Sequence, residues 1–600
     1  MPPAASRPAA LAHALRRGAA RLWPRARVPL PVLYDEAYRL PLNGLESSIG
    51  IELRTVDFTA WYLLETGAVA PPDVHRPEPI SWEAVARVHT EGYLESLGRP
   101  ETLARIYAVE PSDVVRGELL KSVRLACGGT LAAARHALAR KGPALNLAGG
   151  FHHAAPARGG GFCVLNDVAV AVAALRAEGF EGQVAVLDLD AHPPDGTVEC
   201  FAALGDARAW VGSLSGSDWG ALPGADETRL PERCDDATYL RALAGLLSRM
   251  PRPALAFVLA GGDVLADDRF GRLGLSLDGA RQRDLQVAAA LAGVPSVWLP
   301  GGGYHADAWR VLAGTALALT GRGRERIRRR FDPLSARYQH LARLLRQEQP
   351  KDEVLITQAE LDGTLGLDSG GEPLLLGRYS AQGLEYILYR YGLLTQVERL
   401  GYGRLRVEVG GTGTGTRVQL LGWAEGREHL LIDCVLERRP FAQGEVLFVN
   451  WLSLRHPRAH FSPVRPQLPG QEVPGLGLAR EMDAMLAVLA ERQGLLGVAF
   501  RPMWVHLAAL ARRRYRFLDP ERQGRFEALC RDLAALPLAE ATRLVAEGRV
   551  HLDGQPYTWE PSDLVALTQA DVGDREAIAE ARERARFTVD GHSLHVQPRS

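Results

Sequence analysis

Acidic and imidazole side chains end an apolar run in the segment VLDLDAHPPDGT, residues 186–197. Asp190 and His192 stand two residues apart, so on an extended chain their side chains project to the same side, in phase with Asp188. A carboxylate and an imidazole are two of the three protein ligands of a catalytic zinc ion, which keeps its fourth position open. Asp263, after the run ALAFVLAGG, is a candidate third ligand. On its own, the segment is equally compatible with a buried polar cluster.

Residues that could transfer protons follow two other apolar runs. His152 and His153 come after PALNLAGG, and Tyr304 comes after PSVWLPGGG. Metal-assisted amide hydrolysis needs proton transfer at both the attacking water and the leaving amine. Each imidazole also needs a carboxylate to fix its tautomer, and Asp188 and Asp195 are available. A phenol at position 304 could donate to the oxyanion of a tetrahedral intermediate.

Short apolar runs and helical segments alternate over residues 31–320 and must position these side chains. The runs are PALNLAGG, QVAVLDLD, ALAFVLAGGD and PSVWLPGGGY, with helical segments such as NDVAVAVAALRAEGF between them. The runs show little alternation of apolar and polar residues, which is typical of parallel strands buried on both faces. The pattern predicts an α/β domain with a parallel sheet, whose binding site forms at the carboxyl ends of the strands.

Composition excludes several classes of protein. A chain of 600 residues is too long for one core, so we expect at least two domains. The net charge of −1 argues against general nucleic-acid binding, and we expect no nucleic-acid partner. The six cysteines form no Cys-x-x-Cys pair, which is typical of reduced thiols in a cytoplasmic protein. No apolar run reaches the roughly 18 residues of a membrane span, so we expect a soluble protein without a membrane partner.

The first 30 residues form a segment of their own. They contain six arginines and no acidic residue. This composition favours a basic N-terminal arm over residues 1–30, and a mitochondrial-type presequence is the alternative.

Together, the segments over residues 32–318 resemble the histone deacetylase family, which has the arginase/deacetylase fold. The matching motifs are, in order, GGTLAAARHAL, NLAGGFHHA, GGGFCVLNDVAVAV, DLDAHPPDGT, LAGGDVLADDRFGRLGLS and GGGY. The string DVLADDRFGRLGLSLDGARQRD is most similar to the class IV branch and its bacterial relatives. The resemblance implies a histone deacetylase-like catalytic domain over residues 31–320 and a zinc-dependent amidohydrolase.

The resemblance implies one zinc ion bound by Asp190, His192 and Asp263. Arginases share the fold and bind two manganese ions, so their pattern is the alternative. Their bridging carboxylate would stand at position 194, and a second carboxylate of the later strand at position 261. This chain has Pro194 and Gly261 there, and neither side chain can ligate a metal. One zinc ion is therefore the favoured interpretation.

The same resemblance implies the catalytic roles. His153, backed by Asp195, would be the general base and acid. His152 would be backed by Asp188. Tyr304 would polarise the acyl carbonyl of the substrate.

A substrate channel is also implied by the resemblance. Gly161 and Phe162 would line an acyl-lysine channel, with Leu222 at its second wall. Phe270 stands where polyamine deacetylases of this superfamily carry a glutamate, so the favoured substrate is N-acyl-lysine, acetyl or longer, in a protein or small molecule. Deacetylation of a small acylated amine is one alternative. The other is a pseudo-enzyme that binds acyl-lysine while the C-terminal part acts as an acyltransferase-like module.

Three features concern the surroundings of this site. The family's structural K⁺ site would use the Asp188 region and Ser213. The family usually has His-x-Gly before the Asp-Gly or Asn-Gly pair, whereas Pro193 and Pro194 stand here, so we expect a different local turn. The segment LNGLESSIGIE, residues 42–52, replaces a motif that borders the site entrance in relatives, so it bears on substrate choice.

The pattern changes after residue 320. Residues 321–352 predict an arginine-rich helical linker. From residue 353 to 600, a helical start is followed by the β-type runs RLRVEV, RVQLLGWA, HLLIDCVLERR and EVLFVNWLSL, and then by helix, strand and two helices. This order predicts a separate α+β domain.

The order of elements in that domain weakly resembles the GNAT acyltransferase fold. In GNAT proteins, a glycine-containing loop before a helix binds the pyrophosphate of CoA through backbone N–H groups. The segment GQEVPGLGLAREM, residues 470–482, offers Gly475 and Gly477 as the binding residues for acetyl-CoA. Gln471 lies one residue too far from Gly475 for the family spacing, so the alternative is an unrelated interaction domain.

Overall fold

The computed structural model describes residues 28–42, 44–46, 50–216, 220–328, 330–348, 373–441, 444–463, 465–568 and 574–590. Residues 1–27 of the predicted basic arm, part of the segment 42–52 and residues 353–372 lie outside this range. The chain divides into two compact units. The first comprises Met1–Leu40, Ile51–Ala108 and Leu120–Pro333, and the second Pro41–Gly50, Val109–Leu119 and Leu334–Ser600. The boundary after Pro333 falls inside the predicted linker.

An all-parallel sheet forms the centre of the first unit. Its strands are β1 (Val32–Leu33), β2 (Val74–His75), β3 (Pro143–Asn146), β4 (Val184–Asp188), β5 (Ala209–Gly216), β6 (Asp226–Leu230), β7 (Leu255–Leu259) and β8 (Ser296–Leu299). They pair in the order β2-β1-β3-β8-β7-β4-β5-β6, each pair parallel. The predicted α/β domain with a parallel sheet is therefore confirmed.

Helices connect these strands. Between residues 55 and 319 they are α1 (Thr55–Glu65), α2 (Trp82–Ala86), α3 (Glu91–Ser96), α4 (Pro100–Tyr107), α5 (Arg116–Arg140), α6 (Asp167–Ala177), α7 (Asp195–Leu204), α8 (Asp236–Arg249), α9 (Leu277–Ala290) and α10 (Ala308–Leu319). Side chains at helix starts fix several boundaries. Asn166 accepts a hydrogen bond from the N–H of Ala169 at the start of α6, and Ser276 accepts one from the N–H of Gly279 at the start of α9.

The strands β3, β8, β7 and β4 are neighbours in the sheet, and the first unit's core lies around them. Every residue of β4 and of β7 is buried, which explains why these runs are apolar without alternation. Asp188, the last residue of β4, is in register with Leu259 of β7 and with Ser213 of β5. Because parallel strands end at the same edge, the residues that follow these four strands are brought together.

A buried ion pair on α9 supports the loop that follows β7 at this edge of the sheet. Arg283 and Asp284 are both fully buried, and the Nε of Arg283 donates to Asp284 Oδ1 at 2.9 Å. The Nη1 of Arg283 donates to the carbonyl oxygen of Gly261 at 2.7 Å, in the loop that follows β7. Thr315 on α10 donates to Asp284 at 2.6 Å. The pair thereby joins two helices to the loop that leads to Asp263.

The second unit contains a long antiparallel meander and two further groups of strands. The meander is β9 (Gly403–Thr412), β10 (Gly415–Ala424), β11 (Arg427–Phe441) and β12 (Gly444–Leu454). The remaining strands are β13 (Gly497–Phe500), β14 (Arg516–Phe517), β15 (Val550–Leu552), β16 (Gln555–Pro556), β17 (Leu564–Leu567) and β18 (Phe587–Val589). One sheet has the order β14-β17-β13-β12-β11-β10-β9 and the other β16-β15-β18.

Helices cover the sheets of the second unit. They are α11 (Pro333–Glu348), α12 (Ala381–Arg390), α13 (Leu393–Arg399), α14 (Ala479–Arg492), α15 (Val505–Ala511), α16 (Pro520–Asp532), α17 (Leu538–Ala546) and α18 (Arg575–Arg584). β12 and β13, joined through α14, form a parallel pair within an otherwise antiparallel sheet. The predicted separate α+β domain is confirmed.

Two sequence-based expectations concern the whole chain. All six cysteines are free, as expected from their scattered positions. Within the described ranges, no helix combines the length and the apolar composition needed to cross a membrane.

The buried pair on α9 allows a stability test. Replacing Arg283 by Met should lower the free energy of unfolding of the first unit by about 3–5 kcal/mol, because the Asp284 carboxylate stays buried without its counter-charge. The exposed pair of Arg249 and Asp226 is the matched control, and Arg249→Met should cost less than about 1 kcal/mol. Urea titration of both variants measures the difference, and equal losses would contradict the anchoring role of Arg283.

Candidate active site

The turn after β4 leads directly into α7. Asp190 and His192 lie in this turn, and Pro194 is the residue that precedes the first helical residue, Asp195. The N–H of Asp195 donates to the carbonyl oxygen of Pro193 at 2.9 Å. Prolines are tolerated here because the first N–H groups of a helix have no intrahelical acceptor. The two prolines thus precede a helix whose first residue, Asp195, carries a carboxylate.

Asp190, His192 and Asp263 converge at the ends of β4 and β7. One ligand atom from each lies within 4.8 Å of the other two, and His192 Nδ1 is 3.0 Å from an oxygen of each aspartate. The edge of a tetrahedral zinc site is roughly 3.3 Å, so the spacing fits. Burial raises the pKa of Asp263, and the nearby Asp190 carboxylate raises it further. Two buried carboxylates that face one point form a site suited to a divalent cation.

Backbone groups from two loops hold the two carboxylates. The N–H of Gly302 donates to Asp190 Oδ2 at 2.5 Å, and the N–H of Ala191 donates to Asp263 Oδ1 at 3.1 Å. A Cβ at Gly261 would lie 2.6 Å from Asp263 Oδ1 and 2.8 Å from Asp190 Cα. Position 261 therefore has no room for the second carboxylate that a two-metal site would need.

His152 and His153 each form a pair with a carboxylate. His152 Nδ1 lies 3.0 Å from Asp188 Oδ2, and His153 Nδ1 lies 2.6 Å from Asp195 Oδ1. The ring centres of the two histidines are 4.1 Å apart, and the ring of His153 is 5.9 Å from that of His192. The sequence-based pairing of these histidines with these carboxylates is the pairing that the structure contains.

The two imidazoles differ in their proton affinity. Burial lowers the pKa of His152, but the charges of Asp188 and Asp190 outweigh burial and raise that pKa to about 9. Burial and the charge of His152 lower the pKa of His153, despite its hydrogen bond to Asp195. His152 therefore holds a proton more strongly than His153 does.

Three aromatic rings form a cluster beside the histidines. The ring centre of Tyr304 is 5.6 Å from that of Phe162 and 4.8 Å from that of Phe270, and the two phenylalanine rings are 6.2 Å apart. Phe162 has a φ of 65°, a conformation that is strained for a bulky residue and is often found at ligand sites. A Cβ at Gly161 would overlap the ring of His153, so this position requires glycine. Burial and the charges of Asp190 and Asp263 raise the pKa of Tyr304, which keeps its phenol protonated.

Phe270 and Leu222, two of the predicted wall residues, lie in different loops, after β7 and after β5. Phe270 provides the ring that faces Phe162, and 37% of its surface is exposed at the rim. Leu222 lies in the loop before β6, where its N–H donates to a Glu227 oxygen at 3.3 Å.

Asp268 was not found by sequence reasoning. Its Oδ2 accepts a hydrogen bond from the N–H of Tyr304 at 2.8 Å, and its Oδ1 accepts hydrogen bonds from Phe270 and Gly271 at 3.0 and 3.1 Å. It therefore joins the loops that carry two rings of the aromatic cluster. An aspartate two residues before Phe270 is a local sign of a turn, but the contact with Tyr304 spans 36 residues and has no local sign.

Ser213 lies opposite Asp188 on the neighbouring strand. Its Oγ is buried, and it has no hydrogen-bond partner among the residues that the structure describes. A buried hydroxyl without a partner is costly unless another group, such as a cation, is bound to it. Ser213 and Asp188 therefore fit the K⁺ site that the resemblance implies.

Gly475 and Gly477 lie between β12 and α14 in the second unit. Gly477 has a φ of 70°, and α14 begins without a side-chain cap. Glu481 is buried in the first turn of this helix, where a carboxylate would oppose a bound phosphate. The loop thus has backbone features of an anion site together with an unfavourable charge, and CoA binding stays a prediction.

Comparisons with known proteins concern mainly the first unit. Residues 55–319 match the sequence profile described as "Histone deacetylase domain". The chain is 32% identical over 316 residues to histone deacetylase 2 of Arabidopsis thaliana, which covers 49% of this chain and 79% of that protein. It is 33% identical over 264 residues to an uncharacterized protein of Picosynechococcus, and this match covers 40% of this chain and 82% of that protein. The crystal structure of a histone deacetylase homologue from Aquifex aeolicus aligns with 55% of this chain and 92% of its own, at 24% identity and a TM-score of 0.43.

Metal analysis tests the carboxylate-imidazole site directly. The full chain should bind about one zinc ion, and His192→Ala or Asp263→Ala should lose it, because each removes one of three protein ligands. His456→Ala is the matched control, since this buried histidine of the second unit bonds to Tyr402 and should not affect zinc content. The measurement is elemental analysis after dialysis, with circular dichroism to verify folding. Full zinc content in a folded Asp263→Ala variant would contradict the ligand assignment.

Proposed function

Because this chain belongs to the histone deacetylase family, and its first unit has the arginase/deacetylase fold, we propose that this unit is a zinc-dependent deacylase that hydrolyses the amide of N-acyl-lysine. The observation that carries the proposal is the convergence of a three-residue metal site with a histidine–aspartate pair and a half-buried phenol. Asp263, His153 and Tyr304 follow three different strands and meet at one edge of the sheet. This combination supplies the groups that metal-assisted amide hydrolysis requires.

In this proposal, Asp190, His192 and Asp263 hold the zinc ion. A bound zinc ion supplies Lewis-acid chemistry to the amide carbonyl. The residues fit this role because their donor atoms converge and because the carboxylates bring negative charge into a buried place. The K⁺ ion is proposed at Asp188 and Ser213, where a buried Oγ lacks a protein partner among the described residues.

His153 is proposed as the residue that moves protons. Its lowered pKa leaves Nε2 available to accept a proton from the attacking water, since Nδ1 faces Asp195. The same nitrogen then donates a proton to the leaving amine. His152, held in its charged form by Asp188, opposes a lasting positive charge on His153 and thereby favours release of that proton.

Tyr304 is proposed to stabilise the oxyanion. Its phenol stays protonated because burial and two nearby carboxylates raise its pKa, so its O–H can donate to the carbonyl oxygen as negative charge develops. The hydrogen bond from its N–H to Asp268 fixes the loop on which it stands. A fixed donor needs no reorganisation during the reaction.

The acyl-lysine substrate is proposed from the aromatic cluster. Phe162 and Phe270 offer two apolar faces to the methylene chain of lysine, and Leu222 is a proposed further wall. Phe270 places an uncharged ring at the rim, where a polyamine's second ammonium would need a carboxylate. N-acyl-lysine, with an acetyl or longer acyl group, is therefore favoured over a small acylated polyamine.

Two substitutions test the reaction. Tyr304→Phe should lower kcat on acyl-lysine peptides by about 100- to 1000-fold with zinc retained, because one oxyanion donor is lost. Asp263→Asn should abolish turnover together with zinc binding. Steady-state kinetics with acetyl-lysine and longer acyl-lysine peptides, with zinc content measured on the same samples, checks both expectations. Unchanged rates in both variants would refute the deacylase. A wild-type chain that binds acyl-lysine without turning it over would favour the pseudo-enzyme.

Substrate choice has its own test at the rim. Phe270→Glu should raise kcat/KM for an acetylated polyamine about fivefold relative to acetyl-lysine peptide, as one favourable exposed charge pair of about 1 kcal/mol gives. Phe270→Leu is the matched control, because it removes the ring without adding charge and should give no such gain. An equal gain in both variants would mean that ring size, and not charge, excludes polyamines.

A further inference from the structure

An apolar cavity lies inside the second unit, between its meander and two helices. Its volume is about 100 Å³. One side is formed by side chains of β9, β10 and β11, and the other by side chains of α12 and α14 together with Leu375, Tyr379, Tyr391 and Leu393. Apart from Arg492, the described residues that line it are Leu, Ile, Val, Met, Tyr and a single Cys. It is therefore a different chemical environment from the polar site of the first unit.

The cavity walls are regular faces of their elements. Ile432, Cys434 and Leu436 alternate along β11, so they share one face of the sheet, and all are buried. Met482 and Met485 stand one turn apart on α14 and face them. Protein interiors usually close such facing surfaces to the density of an organic crystal, so an open space here is unusual.

The polarity of the cavity suits a hydrocarbon group, and its volume of about 100 Å³ holds a short segment of a chain unless the flexible side chains of its wall move. Apolar cavities of about 150 Å³ stay dry and bind benzene, because water finds no hydrogen-bond partners in them. Methionine side chains are flexible and polarizable, and surfaces that accept apolar ligands of varied shape often use them. Met482 and Met485 give this cavity that adaptability.

Arg492 is the charged residue at the cavity wall. It lies in the last turn of α14, and its Nη2 donates to the carbonyl oxygen of Ala342 at 3.1 Å. A guanidinium carries five N–H donors in a fork that matches a carboxylate, so one such bond leaves donors for a ligand. A cation near a helix C-terminus also stabilises the helix dipole, which is the alternative role that the test below separates.

We propose that this cavity binds a fatty carboxylate, with the hydrocarbon chain between the meander and α14 and the carboxylate on Arg492. The apolar walls account for the chain, and Arg492 at the end of α14 is the one charged residue among the described lining residues that could receive the head group. The proposal stands on the second unit alone and does not depend on the chemistry of the first unit.

Calorimetric titration of the full chain with octanoate and with 1-octanol tests the proposal. Octanoate should bind saturably with one site per chain, about tenfold more tightly than octanol. Arg492→Gln should lower the affinity for octanoate to that for octanol, and it should leave the affinity for octanol unchanged. Absence of saturable binding of either ligand would overturn the proposal. Equal affinities of the two ligands in the wild type would overturn the role of Arg492.

Filling variants locate the ligand. Cys434→Phe places a ring in the cavity and should abolish binding of both ligands, and Val418→Phe does so from β10 if the first variant fails to fold. Folding is verified by circular dichroism, and unchanged binding in a folded filling variant would overturn the proposal.

A metal-free variant separates this site from the first unit. Asp263→Ala should bind octanoate as tightly as the wild type does, since the cavity residues are all in the second unit. Loss of octanoate binding in Asp263→Ala would place the ligand in the acyl channel of the first unit and would overturn the proposal. The assignment of the first unit as a deacylase would not be affected by that result.

Discussion

The mutual repulsion of two buried carboxylates is the constraint on which the first unit's site depends. Asp190 and Asp263 follow the ends of neighbouring parallel strands, and both are fully buried and face one point. Such a pair is costly without compensating charge, hydrogen bonds or a metal ion. The surrounding loops are arranged to supply these. Gly302 and Ala191 donate backbone hydrogen bonds to the carboxylates, and His192 lies between them.

The same negative charge organises the histidines. The carboxylates of Asp188 and Asp190 both lie beside the ring of His152, and their negative charge raises its pKa. Burial and the resulting positive charge on His152 then lower the pKa of its neighbour His153. One electrostatic arrangement thus gives two adjacent residues of the same type different protonation states, which is a recurrent way of dividing acid and base roles in catalytic sites.

The second unit has a different physical basis. Its sheet is built by a long local meander, which places apolar faces of adjacent strands against α12 and α14. The matched family profile ends at residue 319, before the main segment of this unit, Leu334–Ser600, begins. Its chemistry must therefore be argued from its own residues, and the apolar cavity with Arg492 is the feature that allows such an argument.

The sequence alone determined the four central strands of the parallel sheet, the strands of the meander, the family and the residues that follow those four central strands. Apolar runs without alternation predict buried parallel strands from local pattern, and the short spacing of Asp190 and His192 places them on one side of the chain. The separate α+β domain was likewise predictable, because hairpin-connected strands are local. The short strands β14 to β18 were not predicted from the sequence, nor was the position of β17 between β13 and β14, which depends on contacts distant along the chain. The tertiary structure alone decided that Asp268 holds Tyr304, that Phe270 faces Phe162, and that Arg283 supports Gly261. Each of these contacts joins segments whose distance is set by strand order and helix packing, and no local pattern encodes that distance.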